Sequence, residues 1–183
     1  DLMDWYERQF EKLGVTLRLN TYLDEDEIAS HPADVVILAT GSLPDEAATQ
    51  RWLPGEASLP GLDNGHVHSP EAILRREVRP GDEVILYDEG SNWRGVGTAW
   101  FLAEQGHRVT IVTPQAYVGQ EISRTAADGA ARRALARKGA RFIPESLIAR
   151  WHGNGATVRS LLTGAEELIP ASALVMCTTN RSF

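Results

Sequence analysis

Short apolar runs alternate with helical patterns along the chain. Continuous apolar runs rich in β-branched residues predict buried parallel strands, and they cover residues 33–42, 79–89, 107–114 and 172–179. Weaker strand patterns occupy 15–23, 66–69 and a series of short segments between 140 and 170. Helical spacing predicts helices over 2–13, 70–78, 95–105 and 123–139. This alternation of strands and helices indicates an α/β fold with a parallel sheet.

A glycine turn joins the strand predicted over 79–89 to the following helix, and it reads GSNWRG. In a dinucleotide-binding fingerprint the first glycine permits the turn and the second lets backbone amides reach the pyrophosphate. The third lets the helix pack closely on the strand. Gly90 and Gly95 take the first and third places, whereas Asn92 takes the second. Asparagine tolerates left-handed backbone angles, so the turn can still form with Asn92, and we expect its side chain to occupy space that a phosphate needs.

Two further residues bear on whether this turn binds a nucleotide. Arg94 offers a guanidinium that either pairs with a phosphate or fills the pocket itself. Thr113 ends the next strand, where an NAD site usually offers Asp or Glu to the ribose hydroxyls, and no basic residue stands beside it for a 2′-phosphate. A working NAD(P) site and a scaffold with a blocked turn both remain open, and these residues favour the blocked turn.

The order of the elements indicates one nucleotide-type domain inserted into another. The run that ends in VILATG lies before the glycine turn, and the closing run LVMCTT resembles it. We predict a Rossmann-like, three-layer parallel-sheet domain over 79–170, inserted in a partial domain made of 1–78 and 171–183. That partial domain lacks its own first strand and glycine turn. We therefore expect the chain to be part of a longer polypeptide, with those elements upstream.

Composition excludes several classes of function. The net charge of −7 argues against nucleic-acid and anionic-membrane partners, which require clustered Lys and Arg. The single cysteine, Cys177, excludes an internal disulfide and a cysteine-ligated metal site built from this chain alone, which fits a reducing, cytoplasmic location. No run of apolar residues is long enough to span a bilayer. His66 and His68 lack a third candidate metal ligand nearby, so no metal site is predicted.

Several motifs together resemble the C-terminal half of the trimethylamine dehydrogenase family. They are ADVVILATGSLP, LPGLDNGHVHSPEAIL, the altered glycine turn and EQGHRVTIVTP. The group includes dimethylamine and histamine dehydrogenases and is related to 2,4-dienoyl-CoA reductases. In these enzymes two C-terminal domains are similar to the FAD- and NADPH-binding domains of glutathione reductase. The resemblance covers nearly the whole chain.

The resemblance implies cofactors and partners, most of them outside this chain. It implies an N-terminal barrel of the same polypeptide that carries FMN beside an iron–sulfur cluster, and a homo-oligomeric parent. An ADP or FAD-like adenine nucleotide is implied near Thr40 and Gly41, with Thr178 and Thr179 as a second copy of that motif. Asn180 departs from the pattern of the second copy. No catalytic residue carries over to this chain.

Three hypotheses for the function follow. In the first, the parent is an FMN and iron–sulfur amine dehydrogenase that passes electrons to an electron-transferring flavoprotein. In the second, it is an NAD(P)H-dependent reductase of the dienoyl-CoA type. In the third, the chain is a non-catalytic structural or docking module. The altered turn favours the first.

Overall fold

A computed structural model describes residues 1–182 of the chain, which form two compact units. The first unit, Asp1–Ala39, contains helices α1 (Leu2–Leu13) and α2 (Glu25–Ser30). Each helix begins at an aspartate whose side chain accepts backbone N–H bonds, and Gly14 ends α1 in a left-handed conformation. The predicted helix over 2–13 is therefore confirmed.

The two strands predicted in the first unit are wrong. Residues 15–23 and 33–39 are irregular, and the apolar side chains of the second segment are exposed, with Val35 at 76% and Ile37 at 86%. A strand is stabilised by hydrogen bonds to a neighbouring strand and by burial of its faces. None of the described residues of this unit pairs with either segment.

The second unit begins at Thr40 and contains the remaining elements. In chain order these are β1 Ser42–Leu43, β2 Val67–His68, α3 Pro70–Leu74, β3 Glu83–Asp88, α4 Trp93–Glu104, β4 Arg108–Val112, α5 Asp128–Arg137, β5 Arg141–Ile143, β6 Ser146–Trp151, β7 Gly155–Ser160, β8 Glu166–Pro170, β9 Ala173–Cys177 and β10 Arg181–Ser182.

A five-stranded parallel sheet in the order β2-β9-β3-β4-β5 forms the centre of this unit. An antiparallel sheet, β6-β7-β8, and a short pair of β1 with β10 complete the strands described. The predicted α/β fold with a Rossmann-like parallel sheet is confirmed. The predicted helix over 123–139 is interrupted, because Ala126 adopts a left-handed conformation between a 3₁₀ turn at Glu121–Thr125 and α5.

The central sheet is buried on both faces, so the unit has three layers. Along β3, Val84 and Leu86 pack in a cluster with the apolar faces of the helices, whereas Ile85 and Tyr87 pack in a second cluster with residues of β6-β7-β8. This alternation follows from the two-residue period of a strand. It also explains why the sequence shows a continuous apolar run and not an alternating one.

The sheet draws strands from both predicted domains. β3, β4 and β5 lie within 79–170, whereas β2 and β9 lie in the segments assigned to the outer domain. The division into 1–78 with 171–183 and 79–170 stays a prediction. Within residues 1–182, no helix combines the length and the apolar character needed to cross a bilayer.

Candidate functional site

The glycine turn lies at the carboxyl end of β3 and leads directly into α4. Asn92 caps the helix with an extended backbone (φ −113°, ψ −173°) and does not use the left-handed conformation that asparagine tolerates. Ser91 takes that conformation, with φ 49°. Its hydroxyl accepts hydrogen bonds from the amides of Gly119 (2.8 Å) and Gln120 (3.0 Å), which tie a distant loop to the turn.

Gly95 allows close packing of α4 on the end of β3. A Cβ added at Gly95 would lie 2.2–2.5 Å from the carboxyl atoms of Asp88, closer than any real contact. Gly95 therefore has the role expected of the third glycine in the fingerprint.

Asp88 is a fully buried carboxyl group beneath the turn. One oxygen accepts a hydrogen bond from the amide of Ser91 at 2.8 Å, and the other has no partner among the described residues. Burial raises the pKa of Asp88 to about 7, and the nearby Glu89 carboxylate adds to this rise. At neutral pH the carboxyl group is therefore near the midpoint of its titration.

The side chain of Asn92 folds back over the turn. A Cβ on Gly90 would meet Asn92 Nδ2 at 2.8 Å, so this amide covers the surface that Gly90 would otherwise expose. Asn92 Oδ1 accepts a hydrogen bond from the amide of Arg94 at 2.9 Å. A donor at the start of α4 is therefore satisfied by the protein itself.

Arg94 is held by three hydrogen-bond acceptors of the protein. Its Nε and Nη2 donate to the two carboxylate oxygens of Glu71 on α3, at 2.7 and 2.9 Å. Its Nη1 donates to the carbonyl of Thr178 at 2.8 Å and points at Cys177 Sγ, 3.6 Å away. Hydrogen bonds from Arg94 hold the pKa of Glu71 below its ordinary value. The guanidinium thus links α3, α4 and the end of β9.

A cavity of about 340 Å³ opens in front of the turn. Its lining residues are Arg51, Glu89, Gly90, Asn92, Arg94, Cys177, Thr178, Thr179 and Asn180. Glu89 is buried, and its carboxylate accepts from the amide of Arg51 at 2.7 Å and from the hydroxyl of Thr179 at 3.2 Å. Burial raises the pKa of the Cys177 thiol to about 12, so this sulfur stays protonated.

The remaining predicted site residues do not line this cavity. Thr113 is fully buried and donates its hydroxyl proton to the carbonyl of Asp88 at 2.7 Å, so that hydroxyl is engaged inside the fold. Thr40 and Gly41 lie before β1 and are exposed; Gly41 has φ 78°. The structure therefore brings Gly90 and Asn92 to one cavity, with Gly95 beneath them. Within residues 1–182, no three His, Cys, Asp or Glu side chains are grouped to hold a metal ion.

Comparison with known proteins decides the family. A family model described as pyridine nucleotide-disulphide oxidoreductase matches residues 21–181. The chain belongs to the pyridine nucleotide-disulphide oxidoreductase family. In this family, the turn after β3 is where the fingerprint for a dinucleotide is expected.

Three curated relatives share between a third and two fifths of the aligned residues. A probable N-methylproline demethylase of Rhizobium meliloti is 34% identical over 66% of the chain, and an N,N-dimethylglycine/sarcosine dehydrogenase of Chromohalobacter salexigens is 36% identical over 66%. A cinnamate reductase of Clostridium sporogenes is 37% identical over 62%. The matched regions are 16%, 17% and 15% of these proteins.

Two solved structures have the same fold over nearly the whole chain. The 6-hydroxypseudooxynicotine amine oxidase of Pseudomonas geniculata superposes with a TM-score of 0.82 and 29% identity, covering 91% of this chain and 25% of its own. Histamine dehydrogenase from a Rhizobium species gives a TM-score of 0.81 and 21% identity over 96% of this chain and 28% of its own. The resemblance to the C-terminal domains of the trimethylamine dehydrogenase group is confirmed.

Sequence reasoning missed three residues that shape the site: Glu71, Asp88 and Ser91. The sequence offered a signal for Asp88, because it is a carboxylate at the end of a buried run and two residues before the first glycine of the turn. Glu71 carried none, since it stands 23 residues before Arg94 in an ordinary helix start. Only the packing of α3 beside α4 reveals that pair.

Proposed function

We propose that this chain is the C-terminal nucleotide-domain region of a flavin oxidoreductase that oxidises an amine, and that its glycine turn does not hold a nicotinamide coenzyme. The observation that carries the proposal is the bidentate ion pair of Arg94 with Glu71. The same guanidinium also donates to the carbonyl of Thr178. The cation that could bind a phosphate is already neutralised and held.

The fit of a dinucleotide to the turn is poor for three further reasons. Its pyrophosphate would approach the backbone at Gly90, where the amide of Asn92 lies. Its ribose would require an acceptor at the end of β4, where the hydroxyl of Thr113 is buried and donates to Asp88. A second buried carboxylate, Glu89, lines the same cavity and repels a diphosphate.

The parent polypeptide is proposed to carry the reactive groups outside this chain. An N-terminal barrel with FMN and an iron–sulfur cluster would oxidise the amine, and an electron-transferring flavoprotein would receive the electrons. The names of the demethylase and dehydrogenase relatives, which act on N-methylated amines, support an amine substrate. An adenine nucleotide near Thr40 and Gly41, a homo-oligomeric parent and a cytoplasmic location belong to the same proposal.

A second candidate function is a reductase that takes electrons from NAD(P)H. The similarity to a cinnamate reductase favours it, because that relative is named for reduction of its substrate. This candidate requires a coenzyme site, and the turn fits one poorly. A purely structural module is the third candidate.

Anaerobic mixing of the full polypeptide with candidate electron donors tests the proposal. Flavin absorbance is followed after addition of dimethylglycine, sarcosine, histamine, NADH or NADPH. We expect one of the amines to bleach the flavin and the nicotinamide coenzymes to leave it oxidised. Rapid bleaching by NADPH or NADH, with none by any amine, would establish the reductase instead.

A further inference from the structure

We infer that Glu71 is a built-in substitute for a cofactor phosphate: its carboxylate takes the bonds of Arg94 that an anion would use, and its removal makes the turn bind pyrophosphate. Glu71 would then be a specificity-determining residue that keeps phosphate-bearing ligands out. This inference rests on the proposed function, because it presumes that the unaltered turn binds no coenzyme.

The geometry of the pair is that of anion recognition. Arg94 offers Nε and Nη2 in parallel to the two oxygens of Glu71, at 2.7 and 2.9 Å, the arrangement by which arginine binds either a carboxylate or a phosphate. The side chains are 24% and 30% exposed; Arg94 lines the cavity in front of the turn, and Glu71 reaches Arg94 from α3.

Two other arginine–glutamate pairs lack these features. Arg75 lies 3.8 Å from Glu77, and both side chains are more than half exposed. Arg108 is paired with Glu83 at 2.9 Å, again largely exposed and outside this cavity. Glu71 is therefore distinguished by pairing both of its carboxylate oxygens with two nitrogens of an arginine in the turn.

A second donor of the turn is occupied in the same way. The amide of Arg94 donates to Asn92 Oδ1, and the amide group of Asn92 covers Gly90. Gly90 and Gly95 remain, so the backbone path of a phosphate-binding turn is kept. Three oxygens of the protein, two from Glu71 and one from Asn92, thus accept from the guanidinium and the backbone amide of Arg94.

The electrostatic balance explains why Glu71 has the larger effect. With Glu71 ionised, Arg94 is neutralised, and the buried carboxylate of Glu89 leaves the cavity unfavourable to anions. Without the Glu71 charge, Arg94 and the neighbouring Arg51 outweigh Glu89. The uncharged side chain of Asn92 covers Gly90, so replacing Asn92 alone leaves the net charge of the cavity unchanged.

Calorimetric titration with inorganic pyrophosphate tests the inference in the full polypeptide. The variants are Glu71→Gln, Glu71→Ala, Asn92→Gly and the double variant Glu71→Gln with Asn92→Gly. Gln keeps an oxygen for Arg94 and so protects the fold, whereas Ala releases Arg94 completely. Glu77→Gln is the control for removing one exposed carboxylate near the same helix, and any adenine-nucleotide site elsewhere is identical in all variants.

We expect Glu71→Gln to bind pyrophosphate at least tenfold more tightly than the unaltered protein, and the double variant to bind more tightly still. Glu77→Gln and Asn92→Gly should show no gain, and adding Arg94→Met to the double variant should abolish the gain. The inference is overturned if folded Glu71 variants bind no better than the unaltered protein, or if the gain survives Arg94→Met. Binding of NADPH by the unaltered protein would instead overturn the proposed function.

Discussion

The two sides of the glycine turn differ in what their polar groups contact. On the buried side, Gly95, Asp88 and Ser91 pack and hydrogen-bond as a tight strand-to-helix connection. On the side that faces the cavity, Asn92 accepts from the amide of Arg94, and the guanidinium of Arg94 donates to Glu71 on α3. The buried side has the geometry of a dinucleotide-binding turn. On the cavity side, the hydrogen-bond donors of Arg94 are bound to acceptors of the protein itself.

This difference separates the demands of folding from those of binding. Close packing of α4 on β3 depends on a missing side chain at Gly95, irrespective of any ligand. Recognition of a phosphate depends on free donors, and these can be lost while the scaffold stays intact. A family fold therefore does not by itself establish a family ligand.

Replacement of Gly95 by alanine should have the largest effect, because the new Cβ would overlap the buried carboxyl group of Asp88. We expect a loss of about 3 kcal/mol in the free energy of unfolding, measured by urea denaturation. Gly97→Ala is the matched control, since Gly97 lies in the same helix with open space around its Cβ position. The free energy of unfolding of that control should rise by roughly 0.5–1 kcal/mol. Equal effects of the two variants would contradict the packing argument.

Replacement of Arg94 by methionine should have the next largest effect. It leaves the carboxylate of Glu71 and the carbonyl of Thr178 without their donor, and we expect a loss of about 2 kcal/mol for this partly buried pair. The matched control is Arg108→Met, which breaks the exposed pair with Glu83 and should cost less than about 0.5 kcal/mol. Thermal unfolding of both variants measures the difference, and a similar cost for the two would refute a special role for Arg94.

The buried carboxyl group of Asp88 should make stability depend on pH. Its pKa rises from 3.8 to about 7 on folding, so between these values the folded chain holds a proton that the unfolded chain has released. The free energy of unfolding should therefore fall as the pH rises through this interval. Asp88→Asn should make the free energy of unfolding less dependent on pH in this interval, as measured by urea unfolding at several pH values. An unchanged slope would show that Asp88 is ionised in the fold.

Replacement of Asn92 by glycine should have the smallest effect on stability. Glycine is an acceptable helix N-cap, so the expected loss is a few tenths of a kcal/mol, whereas Asn92→Ala should lose about 1 kcal/mol. Circular dichroism during thermal unfolding compares the two. A large loss in the glycine variant would mean that the amide over Gly90 supports the fold itself, and the cavity side would then share the structural role of the buried side.

Much of the fold followed from the sequence, because each strand of the central sheet lies among neighbours that bury it. The apolar run at Val84–Leu86 behaves as predicted. The similar run at Val35–Leu38 does not, since within the described residues nothing pairs with it. An apolar run indicates that a segment can form a buried strand. Whether it does so depends on the neighbouring strands that are available to pair with it.

The site was less predictable than the fold. The position of Asn92 in the turn follows from the fingerprint, whereas no sequence pattern placed the left-handed backbone angle at Ser91. The Arg94–Glu71 pair joins two helices that are separate in the sequence, so its existence depends on tertiary packing. Local patterns cannot encode which side chain neutralises a given charge.

Calorimetric titration of the full polypeptide with NADPH and NADH tests the central claim most directly. The account predicts no saturable binding at coenzyme concentrations up to about 1 mM. Micromolar binding that is weakened by Arg94→Met would locate the coenzyme at this turn and contradict the account.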